Sequence, residues 1–511
     1  MRPILEIRDL AVEFATREGI VHAVDGIDLA VPRGQTLGIV GESGSGKSVT
    51  ALSIMRLLDS PGRIARGEIL LEGEDLVRKS ERQLLDVRGK RIAMIFQEPV
   101  SSLNPTVTVG EQLFEALRSD KYDAWRRGIL PGLARSVKEI VRPNKERAAA
   151  ARADAVDLLR SVHLSSPEAV LRQYPFMLSG GMLQRIMITI ALGSRPDILI
   201  ADEPTTALDV TIQAQILQIL RERKAAADLT TVIITHDLGV IAEMCDRVAV
   251  MYAGRIVEEA AAKDLFHEPK HPYTRGLLAS MPSVERAIRA RRPIEGSVPD
   301  LIGLRKESCF FAPRCPLATD ICATERPPLA SVAEGKLVAC HAYTHPVMKH
   351  LSGTIPALWE GGEPPAVAEP ATADQMPTPL LAARNLKKHF PRSRGLVRAV
   401  DGIDFDVWRG ETFALVGESG CGKTTTGELL LRLQEPTEGD VQFEGRSIVH
   451  ANGRELRGLR KRMQVVFQNP RSSLNPRMRV GAILSEPFDA HKDATLQAKA
   501  SVEALLDMVG L

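Results

Sequence analysis

The stretch AVDGIDLAVPRGQTLGIVGESGSGKSVT, residues 23–50, returns as AVDGIDFDVWRGETFALVGESGCGKTTT at residues 399–426, 376 positions further along the chain. Each copy contains G-x-x-x-x-G-K-[ST], at residues 41–48 and 417–424, after an apolar run that reads as a buried strand and before a helical pattern. In that order of strand, loop and helix, successive backbone N–H groups converge on phosphate oxygens, with the positive end of the helix behind them. The match runs past each loop into its flanks. A duplicated α/β phosphate-loop core follows before any other residue is weighed.

Working outward, residues 4–14 and 36–40 read as strands, and a helix begins near Lys47. Residues 101–175 turn helical, notably in AAAARADAVDLLRSV, and short apolar runs return at 198–201 and 231–235. This predicts a first domain over residues 1–260 with a helical subdomain at about 99–176, and an extension over 261–343. Residues 344–379, rich in Pro, Ala, Gly and Glu, read as a flexible linker, and the second copy fills residues 380–511, opening with LLAARNLKKHF as an echo of ILEIRDLAVEF. Gln97 and SSLNP at 101–105 recur as Gln468 and SSLNP at 472–476, an offset of 371, whereas LLRSVHL ending at Leu164 matches LLDMVGL ending at Leu511, an offset of 347. The first copy therefore holds 24 extra residues, placed within 119–147 together with Trp125, Arg126, Arg127, Arg135, Lys138 and Arg142. A solvated surface helix is the simpler reading of that insertion, and a docking surface for a protein or anionic headgroups the other.

Composition narrows the class. With 511 residues, 44% apolar and 25% charged, the chain suits two or more cored domains rather than disorder. Lys and Arg number 66 against 64 Asp and Glu, a net +2 that gives no global attraction to nucleic acid, so no nucleic-acid partner is expected. No run reaches the roughly 18 to 20 apolar residues of a membrane-crossing helix, and MRPILEIRDLAVEF lacks the apolar core of a signal peptide. A cytoplasmic chain is expected, reaching a membrane only through a partner that spans it.

The candidate chemistry is that of a nucleoside triphosphate. Gly41, Gly44 and Gly46, with Ser43 and Ser45 between them, form the first loop; Lys47 would reach the β- and γ-phosphates and the Ser48 hydroxyl would ligate Mg²⁺. Gly417, Gly420, Gly422, Lys423 and Thr424 repeat the set. ILIADEP at 198–204 ends an apolar strand on two carboxylates, costly to bury unless a cation sits beside them. Asp202 would hold that cation and Glu203 would orient and deprotonate the attacking water.

LSGGM at 178–182, the acidic strand end, ALD at 207–209 and THD around His236 together resemble the signature set of ABC-type ATPases. The resemblance implies that Ser179, Gly180 and Gly181 grip the γ-phosphate of ATP bound to an opposing domain, across an intramolecular or intermolecular nucleotide-domain dimer. It implies further that Gln97 and its counterpart Gln468 sense Mg²⁺ and the attacking water, that Asp209 lines the dimer interface and that His236 contacts the γ-phosphate. Phe14 and Phe390, each nine residues before its Ala-Val-Asp-Gly, resemble adenine-stacking aromatics, with core packing as the alternative.

FQEPVSSLNP and HPYTRGLLASMP at 271–282 are similar to segments of bacterial importers for di- and oligopeptides, including the glutathione type and relatives that carry nickel or sugars. That branch implies ATP and Mg²⁺ as cofactors, two integral membrane permease subunits as partners, a periplasmic or extracellular substrate-binding protein beyond them, and a peripheral place on the cytoplasmic side of the inner membrane. A soluble ABC ATPase acting on ribosomes or DNA, or a nonhydrolytic interaction protein, are the rival readings. Four cysteines, Cys309, Cys315, Cys322 and Cys340, cluster in the extension; a reducing compartment favours metal over disulfides for such a quartet, although the spacing is not the C-x2-C of common zinc modules. The segment resembles the cysteine region of peptide-importer ATPases, which implies an iron–sulfur cluster of the 4Fe–4S type; zinc and metal-free thiols stay open. Cys245 and Cys421 stand apart, the latter inside the second phosphate loop.

The second copy shows no counterpart of the signature, the acidic strand end or His236, because Leu511 matches Leu164, 15 residues before Ser179. Sites of this family are composite, so neither is complete within the sequence. A longer fused protein, parts supplied by another chain, and a decayed second half all account for this; the intact second loop favours the first. ATP binding with poor hydrolysis by this chain alone is the expectation.

Overall fold

Residues 3–117, 145–164, 166–206, 208–281, 294–302, 307–358, 378–392, 395–418, 420–468, 473–491 and 502–509 of the computed structural model are described. The chain divides into two units, Met1–Pro365 and Ala366–Leu511. Most of the candidate insertion, with Trp125, Arg126, Arg127, Arg135, Lys138 and Arg142, lies outside the described residues, as do residues 359–377 of the stretch read as a linker.

In the first unit, β1 (Leu5–Ala15) and β2 (Ile20–Val31) form an antiparallel ribbon before the chain crosses through β3 (Thr36–Val40) into a second sheet. β4 (Gly62–Leu71) and β5 (Glu74–Asp75) complete the first sheet in the order β2-β1-β4-β5. The second sheet takes β6 (Ile92–Ile95), β7 (Ile198–Asp202), β8 (Thr230–Ile234), β9 (Arg247–Tyr252), β10 (Arg255–Ala261), β11 (Ala330–Ala333) and β12 (Lys336–Val338) around β3. Its order is β11-β12-β10-β9-β3-β8-β7-β6, with β3 parallel to both β8 and β9, and β7 parallel to β8 and β6. β3, β7 and β8 are buried along their whole length, which is why they read as unbroken apolar or Thr-rich runs instead of alternating ones.

A helical layer gathers beside this sheet. Val109–Leu117, Lys145–Ser161 and Gly180–Gly193 meet through Leu113, Leu159, Leu183 and Ile186, a core separate from those of the two sheets. The cysteine-bearing extension is no loose appendage, since β11 and β12 extend the main sheet from β10. The linker expectation fails over its first part. His341–Thr344 is helical, Pro346–Gly353 and Ile355–Ala357 are 3-10 turns, Met348 and Ile355 are buried, and Arg275 Nε donates to the Leu358 carbonyl at 3.0 Å. Those few apolar side chains anchor a segment whose overall composition looks unpackable.

The second unit repeats the ribbon. β13 (Leu381–Arg392), β14 (Gly395–Val407), β15 (Glu438–Phe443) and β16 (Arg446–Ser447) take the order β14-β13-β15-β16. The register repeats too: Leu381 faces Val407 and Phe390 faces Val397, as Leu5 faces Val31 and Phe14 faces Val21. The copies then part. Residues 411–418 and 463–467, the counterparts of β3 and β6, form no strand. Val416 is 90% and Val466 99% exposed, where their counterparts Val40 and Ile95 are 1% and 0%. In the first unit β3 and β6 owe their hydrogen bonds to β7, β8 and β9, and the described residues of the second unit supply no such partners.

This difference predicts unequal costs for matched truncations. Ile39→Ala, in a buried strand, lowers stability by about 2–5 kcal/mol, whereas Leu415→Ala at the equivalent exposed position shifts it by about 0.5 kcal/mol or less. Urea unfolding of the two variants checks this; equal losses contradict the unpaired state of residues 411–418.

Candidate functional site

Parallel pairing sets the carboxyl ends of β3, β8, β7 and β6 side by side, and each delivers a candidate residue at or just past its last paired position. The phosphate loop follows β3, His236 follows β8, Asp202 and Glu203 end β7, and Gln97 follows β6.

The loop must be tight. A Cβ on Gly41, at φ +155°, would stand 2.1 Å from the Met251 carbonyl, and one on Gly46, at φ +97°, 2.4 Å from that of Ala23. Gly46 opens the helix Lys47–Ile54 without any side-chain cap or acidic residue in the first turn, so its first N–H groups stay available to an anion. Ser43 and Gly44 are exposed and Ser45 is buried. Lys47 folds back, its Nζ donating to the carbonyls of Gly41 and Glu42, both at 2.8 Å, and to Ser45 Oγ at 3.4 Å. Burial lowers its pKa, against the pull of Glu203, Asp202 and Glu42.

Ser48 Oγ donates to Asp202 Oδ1 at 3.1 Å. Burial raises the Asp202 carboxyl to about 6, with the Ser48 bond opposing and the neighbouring Glu203 adding to the rise. A hydroxyl beside a desolvated carboxylate at the foot of a phosphate loop is an oxygen donor set suited to a hard divalent cation. Among the described residues no trio of His, Cys, Asp or Glu is spaced for a single metal ion, so the fit to Mg²⁺ rests on Ser48 and Asp202 with oxygens from the nucleotide.

Glu203 is the hub. It sits at φ +49°, a left-handed conformation that turns its side chain out of the strand. Oε2 accepts from Gln97 Nε2 at 3.0 Å and from Thr206 Oγ1 at 2.8 Å, while Oε1 lies 3.2 Å from His236 Nδ1. Burial pushes its carboxyl up, but the Thr206 hydroxyl, His236 and Lys47 outweigh that and hold it below the usual range. It stays an anion, ready to accept a proton. Sequence reasoning paired Glu203 with neither Gln97 nor Thr206; the three-residue spacing to Thr206 was a usable signal, and the bond to Gln97, 106 residues away, had none.

Ser179 is the N-cap of the helix Gly180–Gly193, its side chain making no capping bond; Ser179 and Gly180 are exposed. Among the described residues no hydrogen bond joins Ser179, Gly180 or Gly181 to the phosphate loop. That helix is tied to the acidic strand end by Gln184, which donates to the Pro204 carbonyl at 2.6 Å, a link the sequence reading did not include. Asp209 caps the helix Val210–Ala227 through the Ile212 N–H at 2.9 Å. Ala207, beside it, lies outside the described residues. Phe14 is partly buried against Gly62, where a Cβ would meet the ring at 2.6 Å.

The second loop has the same internal wiring. Gly422, at φ +99°, opens the helix Lys423–Leu430, and Lys423 Nζ donates to the carbonyls of Gly417 and Glu418, both at 2.6 Å, and to Cys421 Sγ at 3.6 Å. Gly417, Thr424 and Gln468 are exposed, and Gly420 has open space around it. Lys388 Nζ stands 5.1 Å from the Phe390 ring centre. Among the described residues of this unit nothing corresponds to Asp202, Glu203 or His236.

The four clustered cysteines line one small cavity of about 20 Å³ with His271, His341 and Met348, and none is in a disulfide. Burial raises the Cys309, Cys315 and Cys340 thiols, the last two to about 12, and the charge of neighbouring cysteines adds to each rise.

Residues 24–206 and 400–511 match the family model for the ABC transporter, and residues 257–322 match the oligopeptide/dipeptide transporter C-terminal region. An oligopeptide transport ATP-binding protein from Mycobacterium tuberculosis is 41% identical over 523 residues, covering 100% of this chain and 80% of that protein. A glutathione import ATP-binding protein from Salmonella typhimurium is 40% identical over 525 residues, covering 100% of this chain and 71% of that protein. Among solved structures, a dimeric bacterial ABC transporter cassette aligns with a TM-score of 0.42 at 26% identity, over 50% of this chain and 98% of its own. With a phosphate loop, a carboxylate pair and a histidine set along one sheet edge and the loop repeated in the second unit, the chain belongs to the ABC transporter family and is an ATP-binding ATPase built on a duplicated phosphate-loop fold.

Proposed function

We propose that the chain is the energy-coupling subunit of an importer for peptides of the di- or oligopeptide or glutathione type. It would work at the cytoplasmic face of the membrane on two integral permease subunits, fed by an external substrate-binding protein. Two likenesses support the peptide branch: the oligopeptide/dipeptide transporter region over 257–322 and the two full-length relatives named for oligopeptide transport and glutathione import. Among the described residues no helix is long and apolar enough to cross a membrane, so a partner would have to supply the pathway.

The observation that carries the coupling role is the Gln97–Glu203 bond at 3.0 Å. Gln97 ends the segment from β6 and leads directly into Pro99–Ser102, which lies against the signature helix Gly180–Gly193. A shift of the helical layer therefore reaches the carboxylate that handles the attacking water. In this reading Lys47 and the N–H groups of Gly44, Gly46 and Ser48 hold the triphosphate, and Phe14 stacks on the base. Mg²⁺ bound by Ser48 and Asp202 neutralises charge on the transferred phosphoryl group. Glu203, ionised and fixed by Gln97, Thr206 and His236, orients the water and accepts its proton. Ser179, Gly180 and Gly181 complete a nucleotide site on an opposing domain, and Asp209 lines that dimer interface. Gly417, Gly420, Gly422, Lys423 and Thr424 bind a second nucleotide, with Phe390 and Gln468 in the roles of Phe14 and Gln97.

Cys309, Cys315, Cys322 and Cys340 are proposed as ligands of a 4Fe–4S cluster, which when bound supplies a redox-active centre. The support is the thiolate chemistry of four cysteines lining one cavity without a carboxylate; in this structure no three of them are spaced to hold a metal ion.

Reconstitution with the permease pair tests the function. Glu203→Gln is expected to cut ATP turnover by on the order of 10²–10⁴ while leaving fluorescent ATP binding intact, and labelled peptide uptake should stop with it; cosedimentation with ribosomes in place of permeases contradicts the proposal. Anaerobic purification should give a brown protein with about four irons per chain, lost on Cys315→Ser, and a folded, colourless, iron-free preparation counts against the cluster.

A further inference from the structure

Glu42 is out of place. It is the second residue of a loop that binds a polyanion, and an unpaired carboxylate there would repel the phosphates it is meant to receive. The structure pairs it. Arg314 Nη1 donates to Glu42 Oε2 at 2.8 Å, and the Glu42 N–H donates to Tyr273 Oη at 2.9 Å. Both partners come from the extension: Tyr273 from the helix Pro272–Ala279, and Arg314 from the residue just before Cys315.

The guanidinium is held from several sides. Its side chain is 6% exposed; Nε donates to the Glu295 carbonyl at 3.0 Å, Nη2 to that of Ile294 at 3.3 Å, and Nη1 also reaches Tyr252 Oη at 3.4 Å. Beneath it, Tyr252, Tyr273 and Phe311 pack with ring centres 4.7 to 5.4 Å apart, and Phe311 lines the cysteine cavity. A partly buried carboxylate and a buried guanidinium in this setting act as one neutral unit. The second loop offers the internal comparison, because Glu418 occupies the place of Glu42 and no guanidinium pairs with it among the described residues.

We propose that Arg314 is a positioning residue of the first ATP site: it neutralises Glu42, and so makes the cysteine-bearing segment a working part of the phosphate loop. Anything that displaces residues 309–322 then uncovers a negative charge beside the triphosphate and weakens nucleotide binding at Lys47, leaving the Lys423 loop unaffected.

The test is equilibrium binding of a fluorescent ATP analogue to the full chain carrying Lys423→Ala, so that only the first loop reports. Arg314→Gln should weaken binding about tenfold, Arg314→Lys by less, and Glu42→Gln should bind as tightly as the parent or tighter. The double variant Glu42→Gln/Arg314→Gln should return to within about twofold of the parent, because removing both charges removes the repulsion. Unchanged binding in Arg314→Gln, or a double variant as weak as Arg314→Gln, overturns the proposal. If Arg314→Gln does not fold, Glu42→Gln decides: binding more than about tenfold weaker marks the glutamate as a structural clamp and overturns the charge argument.

Discussion

The pairing of β3 between β8 and β9 is the constraint on which the rest depends. It buries five residues of backbone on both sides, so the chain leaves the sheet at a fixed point and direction, and the glycine-rich turn begins there. The same parallel order sets the ends of β8, β7 and β6 in succession beside it. His236, the Asp202–Glu203 pair and Gln97 thus arrive along one edge although they lie far apart in the chain. The approach of Gln97 and His236 to Glu203 is a consequence of strand order, as is the reach of Ser48 to Asp202, while Thr206 adds a local bond three residues along the chain.

The second unit shows what happens without that pairing. Its antiparallel ribbon repeats the first in order, register and even in the left-handed turns at Asp9 and Asn385, since each ribbon carries its own partners. Its phosphate loop keeps the lysine folded onto the same two carbonyls, because those bonds are local. The strand that ought to support it does not form. TLGIV and TFALV are nearly equivalent as β-formers, and neighbours alone decide between a buried strand and exposed chain.

This is also the measure of what the sequence could tell. Motifs that follow or end a buried apolar run could be located from the sequence, namely both loops and the carboxylate pair, whereas Gln97 and His236 came only with the family resemblance. The structure sets the first loop, the carboxylate pair and those two residues along one sheet edge. Residues that matter through distant contacts were not legible. Glu42 and Arg314 are 272 positions apart and neither belongs to a pattern that announces the other. Gln184 gains its meaning only once the acidic strand end, 20 positions away, lies beside it. Composition misled over residues 345–358, where two buried side chains, Met348 and Ile355, outweigh a polar, proline-bearing setting.

Two phosphate loops, then, have unequal standing: one rests on a paired strand and lies beside an ionised glutamate, and the described residues of the second unit supply neither to the other. Single-turnover ATP hydrolysis by Lys47→Ala and Lys423→Ala variants addresses this most directly. The account predicts that whatever hydrolysis the chain performs disappears in Lys47→Ala and persists in Lys423→Ala; hydrolysis that survives Lys47→Ala and vanishes in Lys423→Ala contradicts it.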